Sequence, residues 1–128
     1  MILADTSVRV AALRSSRAAE ANQLRSLLDR DEICLAVIVR LEILLGAGRR
    51  DRARLARLLS SLPVFYPTDR TWTTIESWIE KRGSVGQRFG ITNLVIAAIA
   101  AERGAAVWSL DADFARLQRL GLVRLHRP

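Results

Sequence analysis

Short runs that are apolar at successive positions alternate along this chain with longer segments that are apolar only at helical spacing, and this alternation constrains the fold most. The runs lie in "MILADTS", "ICLAVIV", "VFY", "AAVWSL" and "LVRLH". A strand apolar on consecutive residues must be covered on both faces, which is the habit of parallel sheets. Between the runs, "RAAEANQLRSLLDRD" has Ala18, Ala21, Leu24, Leu27 and Leu28 on one helical face, and "RLEILLGAGRR" is a helix ended by Gly46 and Gly48. "RARLARLLSSL" closes at Pro63, "DRTWTTIESWIEKRG" runs from an Asp69 cap to Gly83, and "GITNLVIAAIAAERG" and "DFARLQRLG" supply two more helices. The expected fold is an α/β sandwich, a central parallel β-sheet flanked by helices on both faces, in a single domain over residues 1–128. At 128 residues the chain can bury a real core.

In such a sheet the functional crevice lies beyond the carboxyl ends of the strands. Asp5 ends the first strand and Asp111 follows "AAVWSL", so two distant segments bring acids to one edge. Glu42 is the third acid of interest. Ile38, Val39, Leu45 and Gly46 surround it at helical spacing, which predicts an apolar setting where a carboxylate needs a partner, a metal or a raised pKa. A salt bridge to Arg40 or Arg9 would serve equally well.

The formal charge is +7, carried almost wholly by arginine with Lys81 the only lysine. This balance favours a polyanionic partner, because each neutralised phosphate releases counterions, although arginine- and alanine-rich chains also arise from codon usage. Cys34, the only cysteine, sits among aliphatics and reads as a buried structural thiol. No apolar run approaches the ~20 residues of a membrane span and the amino terminus lacks the pattern of a secretory leader, so a cytoplasmic location is expected.

Asp5 in "LADTS", Glu42 in "RLEILLGA", the helix "LVIAAIAAERGA" and "SLDADF" occur in the order and spacing of PIN-domain ribonucleases. The whole chain resembles VapC-type toxins of toxin-antitoxin pairs. That resemblance implies catalytic positions at Asp5, Glu42, Asn93 and Asp111, with Asp5, Asp111, Asn93 and Asp113 as metal ligands and Thr6, Ser7 and Ser109 beside them. It further implies a Mg²⁺-dependent endoribonuclease, with Mn²⁺ able to substitute, that leaves 3′-hydroxyl and 5′-phosphate ends on RNA of the tRNA or rRNA class. A VapB-like antitoxin and a homodimer are the implied partners.

Position 93 departs from the family pattern, which has aspartate there. The amide keeps the shape and loses the charge, so an inactivating or weakening Asp-to-Asn change is expected, with the amide still able to cap its helix and little effect on stability. A non-catalytic PIN-type module that binds RNA or protein is the alternative. Other features point less far. The arginines of "RRDRARLAR" read as a solvated helix face or an RNA contact, Trp72 and Trp78 as core or dimer packing, and His126 as non-catalytic. Gly83 and Gly86 follow no strand and make no phosphate cradle. A receiver domain lacks its third-strand aspartate in "VFYP", and a haloacid-dehalogenase-like phosphatase lacks its second acid at Ser7.

Overall fold

The computed structural model describes residues 1–8, 19–83 and 88–127. Its elements, in chain order, are β1 (Ile2–Ala4), α1 (Ala19–Asp29), β2 (Ile33–Ala36), α2 (Val37–Gly46), α3 (Arg52–Leu59), β3 (Val64–Phe65), α4 (Asp69–Arg82), α5 (Ile91–Arg103), β4 (Ala106–Trp108) and α6 (Ala112–Arg119). The four strands are parallel in the order β3-β2-β1-β4.

Successive strand residues point to opposite faces. Ile2, Leu3 and Ala4 are nevertheless all buried, as are Ile33, Cys34, Leu35 and Ala36, so the sheet is covered on both sides as the apolar runs require. Leu27 of α1 and Leu59 of α3 belong to the same core as Val39 of α2, Ile75 of α4 and the continuous buried run Leu94–Ala100 of α5. The Cys34 thiol donates to the Ile2 carbonyl at 3.4 Å, and burial pushes its pKa up to about 11, which leaves it an inert part of the interior. Among the described residues no helix is long and apolar enough to cross a membrane.

Several boundaries differ from the sequence expectation. The run "ICLAVIV" is a strand only to Ala36. Val37, Ile38 and Val39 form the first turn of α2, where Val39 is fully buried, so tertiary packing overrides their β-branched preference. "LVRLH" yields one bridge, Val107 to Leu125, in place of a full strand. At α4 the cap is Thr68, whose hydroxyl and backbone exchange bonds with Thr71, and Asp69 falls in the first turn instead. Ala18 lies outside the described residues.

The carboxyl-terminal segment is pinned by His126. Its backbone N–H donates to the Val107 carbonyl at 2.8 Å, its ring meets Trp108 edge-on at 5.6 Å, and its Nε2 lies 3.3 Å from Gln23 Nε2 on α1. Burial lowers its pKa, with the Glu32 carboxylate opposing in part and Arg30 adding to the depression. The folded chain therefore holds the neutral ring while the unfolded chain takes up a proton first on acidification. Stability from this source is complete above the ordinary histidine pKa of ~6.5 and is lost as pH falls towards the depressed folded value. Thermal melts between pH 7.5 and 5 should show a falling midpoint, and His126→Gln should flatten the part of that fall just below pH 6.5. An unchanged profile in the variant would remove His126 as the cause.

Candidate active site

The strand order places the chain's reversal at β1. From it the chain moves outward through β2 and β3, then returns to add β4 on the other side. The carboxyl ends of β1 and β4 therefore flank a topological switch point, the place where open α/β sheets leave a crevice. The Asp5 backbone N–H donates to the Trp108 carbonyl at 2.9 Å, which ties the two strand ends together.

Asp5 is only 8% exposed. Its Oδ2 accepts from Ser109 Oγ at 2.7 Å and from Ser7 Oγ at 3.0 Å, and those hydroxyls stand 3.2 Å apart. Both hydroxyls are themselves held, since Ser7 Oγ accepts from the Leu110 backbone N–H at 2.9 Å and Ser109 Oγ from that of Asp111 at 3.0 Å. No group among the described residues bonds to Oδ1.

Asp111 caps α6. Its Oδ1 accepts from the Asp113 backbone N–H at 2.9 Å, and its Oδ2 accepts from Asn93 Nδ2 at 3.3 Å. The same Asn93 nitrogen donates to Asp113 Oδ2 at 3.0 Å. Asp113 Oδ1 pairs with Arg116, whose guanidinium also lies 5.6 Å from the Phe89 ring centroid. A continuous polar chain thus runs from Asp5 through Ser7, Ser109, Asp111, Asn93 and Asp113 to Arg116. Thr6, next to Asp5 in sequence, reaches the other way and donates to Glu42 Oε1 at 3.3 Å.

Residues 2–120 match the PIN domain family. The chain belongs to the PIN-domain family. Among solved structures, VapBC-1 from nontypeable Haemophilus influenzae is similar over 98% of this chain and 97% of its own, with a TM-score of 0.76 at 20% identity. FitAcB from Neisseria gonorrhoeae gives 0.75 at 22% identity over 100% and 98% of the two chains. VapC20 from Mycobacterium tuberculosis, a Sarcin-Ricin loop cleaving toxin, gives 0.66 at 20% identity over 99% and 100%. No curated protein matches the chain by sequence.

Within this PIN domain, the sequence expectation is corrected at two site positions. Glu42 is exposed, and Leu45, taken as part of its apolar setting, is 82% exposed, so the carboxylate bears no large desolvation cost. It makes no ion pair with Arg40, and Arg9 lies outside the described residues. Asn93 does not cap its helix. Gly90 does, and the amide is free to bridge two acids. An amide presents one accepting oxygen and one doubly donating nitrogen, so two carboxylate neighbours dictate that the nitrogen faces them. Arg116 went unremarked in the sequence, although its position three residues after Asp113 on one helix was the available signal.

The remaining candidates fall outside the crevice. Trp78 packs against the core while Trp72 is 49% exposed, so the two are not equivalent. Gly83 ends α4 with a positive φ of 57°, a helix stop and no cradle, and Gly86 lies outside the described residues.

The carboxylates of Asp5, Asp111 and Asp113 offer only oxygen, which fits the hard cation implied by the family. Among the described residues no three acids, histidines or cysteines come together as a ready-made cage. Mg²⁺ does not demand one, because it commonly keeps several waters and uses one or two carboxylates. The amide at 93 also does in part what a cation would do, drawing Asp111 and Asp113 to a shared donor. Replacing it with aspartate would set three carboxylates against one another. Asn93→Asp should therefore lower stability in EDTA by about 1 to 2 kcal/mol, from lost hydrogen bonds to charged groups discounted for partial exposure. Millimolar Mg²⁺ or Mn²⁺ should restore it. Melts of the two proteins with and without metal decide this, and a metal-insensitive Asn93→Asp midpoint would contradict the arrangement.

Proposed function

We propose that the chain is a metal-dependent endoribonuclease of the VapC toxin type, weakened at position 93, whose RNA substrate is of the tRNA or rRNA class. The observation that carries this reading is the convergence of Asp5, Asp111 and Asp113 at the switch point, linked by hydroxyls and by an amide in the family's aspartate position. Cleavage of a phosphodiester brings an anionic nucleophile to an anionic centre, so the site needs positive charge as well as acids. Mg²⁺, or Mn²⁺ in its place, would be held through Asp5 Oδ1 and Asp111, with position 93 and Asp113 beside them. When bound, the metal lowers the pKa of a coordinated water and stabilises charge on the phosphoryl group.

The chain's own groups prepare that chemistry. Ser7 and Ser109 fix the Asp5 carboxylate in one orientation, which limits the reorganisation left for the reaction. Glu42, exposed and held loosely by Thr6, would orient a water or take its proton. Arg116 offsets the charge of Asp113 and leaves Asp111 as the freer of the two aspartates.

A VapB-like antitoxin is the partner we propose. An apolar cavity of about 410 Å³ opens beside the site, with Ala4, Asp5, Val8, Leu55, Leu58 and Leu59 in its walls, and it suits an apolar segment that ends in a cation near Asp5. A second copy of the chain is the other partner, with Leu41 and Leu45 exposed together on α2 as apolar surface for it. The non-catalytic module stays as a second reading because Asn93 already satisfies Asp111 and Asp113 without metal.

The test is Mg²⁺-dependent cleavage of a structured RNA by the chain, by Asn93→Asp, and by Asn93→Asp combined with Asp5→Asn. Restoring the carboxylate should raise the rate on the order of 10²- to 10⁴-fold, the usual worth of one placed catalytic group, with 5′-phosphate and 3′-hydroxyl ends on the products. Asp5→Asn should abolish the gain. Folded Asn93→Asp protein that cuts no RNA in Mg²⁺ would favour the non-catalytic module. Light scattering at micromolar concentration should give twice the monomer mass, and a monomer there would remove the dimer.

A further inference from the structure

Residues 49–57, "RRDRARLAR", hold five arginines and a single acid in nine positions, the densest charge in the chain. The segment is the turn before α3 together with most of that helix. Its hydrophobic side is already committed. Leu55, Leu58 and Leu59 wall the apolar cavity, and Asp5 is among the residues that line the same cavity. Arg49, Arg50, Arg52, Arg54 and Arg57 are all exposed on what remains.

These guanidinium groups are also poorly occupied. Arg54 faces Asp51 at 3.9 Å, a pair as long as Arg30–Glu32 and more exposed, and Arg52 reaches the Ala47 carbonyl at 3.5 Å. Arg49, Arg50 and Arg57 have no hydrogen bond or ion pair from their side chains among the described residues. Elsewhere among the described residues the arginines without a partner, Arg40, Arg70, Arg82, Arg88 and Arg119, are scattered along the chain and not clustered, and the others are engaged. Arg30 pairs with Glu32, Arg103 stacks on Phe65, Arg116 pairs with Asp113, and Arg124 and Arg127 bond to Gly104 and Gln118. A helix face needs no such density for solubility, and repulsion between unpaired like charges costs stability.

We propose that the turn 49–51 and the outer face of α3 form the RNA-backbone contact of this protein, which holds a single-stranded stretch of RNA beside the Asp5 crevice. The inference rests on the nuclease reading for its choice of polyanion. Arginine forks match phosphate oxygens in geometry, and a row of them fits a ligand that repeats its charge at every nucleotide. The division of labour is electrostatic. The crevice is acidic and repels RNA until a cation is present, so a basic surface next to it supplies the attraction that the crevice withholds.

The test is binding of a fluorescent single-stranded RNA oligomer, in EDTA so that no metal assists the crevice, followed by anisotropy across a salt series. The parent chain is compared with Arg49→Gln, Arg50→Gln, Arg54→Gln and Arg57→Gln combined. A control removes the same charge elsewhere through Arg70→Gln, Lys81→Gln, Arg82→Gln and Arg119→Gln, and circular dichroism with thermal melts confirms that each protein is folded. At ~0.7 per phosphate contact on single strands, the dependence of log K on log salt should flatten by about 2 to 3 in the α3 variant and affinity should fall on the order of tenfold or more. The control should lose less. Equal losses in the two variants, or an α3 variant that binds as the parent does, would overturn the proposal and leave α3 to a solvated or acidic-protein-binding role.

A second arm separates this surface from the chemistry. If the α3 arginines carry RNA binding while Asn93→Asp cuts nothing in Mg²⁺, the surface stands and the nuclease reading falls. If Asn93→Asp cuts RNA with the same kcat/KM whether or not these arginines are present, the surface falls and the nuclease reading stands.

Discussion

Burying a carboxylate at the junction of β1 and β4 removes it from water, and the cost is offset because the hydroxyls of Ser7 and Ser109 both donate to one Asp5 oxygen. The rest of the site is arranged around that solution. The Ser109 hydroxyl that serves Asp5 also receives the Asp111 N–H, and Asp111 in turn caps α6 and orients Asp113. One buried acid is therefore linked to the start of α6, an eight-residue helix, through a relay of short hydrogen bonds. Strand order supplies the setting, since β1 and β4 are the neighbouring strands between which the chain reverses across the sheet.

Charge is divided between two neighbouring surfaces. The crevice collects acids, with Arg116 as the cation drawn among them, while α3 displays arginines with little to pair with. The apolar cavity joins the two, because Asp5 and the leucines of α3 both line it. A ligand that touches all three would need negative charge for α3 and a cation for Asp5. RNA with a divalent ion meets both demands.

The architecture was largely legible because packing leaves few options for runs apolar at successive positions, and Leu3, Cys34 and Val107 are indeed fully buried. Strand ends were less legible. Val37–Val39 carry strand-forming side chains but sit in α2, where burial of Val39 and Ile43 decides the matter. The acids at Asp5 and Asp111 could be placed from their position after strands. What the sequence could not show was direction, namely that the Asn93 amide turns towards Asp111 and Asp113 instead of its own helix end, and that Arg116 joins them. Glu42 exposed a weaker inference, that apolar neighbours imply burial. Leu41 and Leu45 beside it are 53% and 82% exposed.

We propose that the carboxylates at the switch point form a cation site whose occupant is partly replaced by the Asn93 amide. Calorimetric titration of Mn²⁺ into the chain, into Asn93→Asp, and into Asn93→Asp combined with Asp5→Ala tests this without reference to activity. Binding should be weak in the chain and at least about tenfold tighter once the charge is restored, a difference of ~1.4 kcal/mol. It should be lost again without Asp5. Equal affinity in all three proteins would contradict the claim.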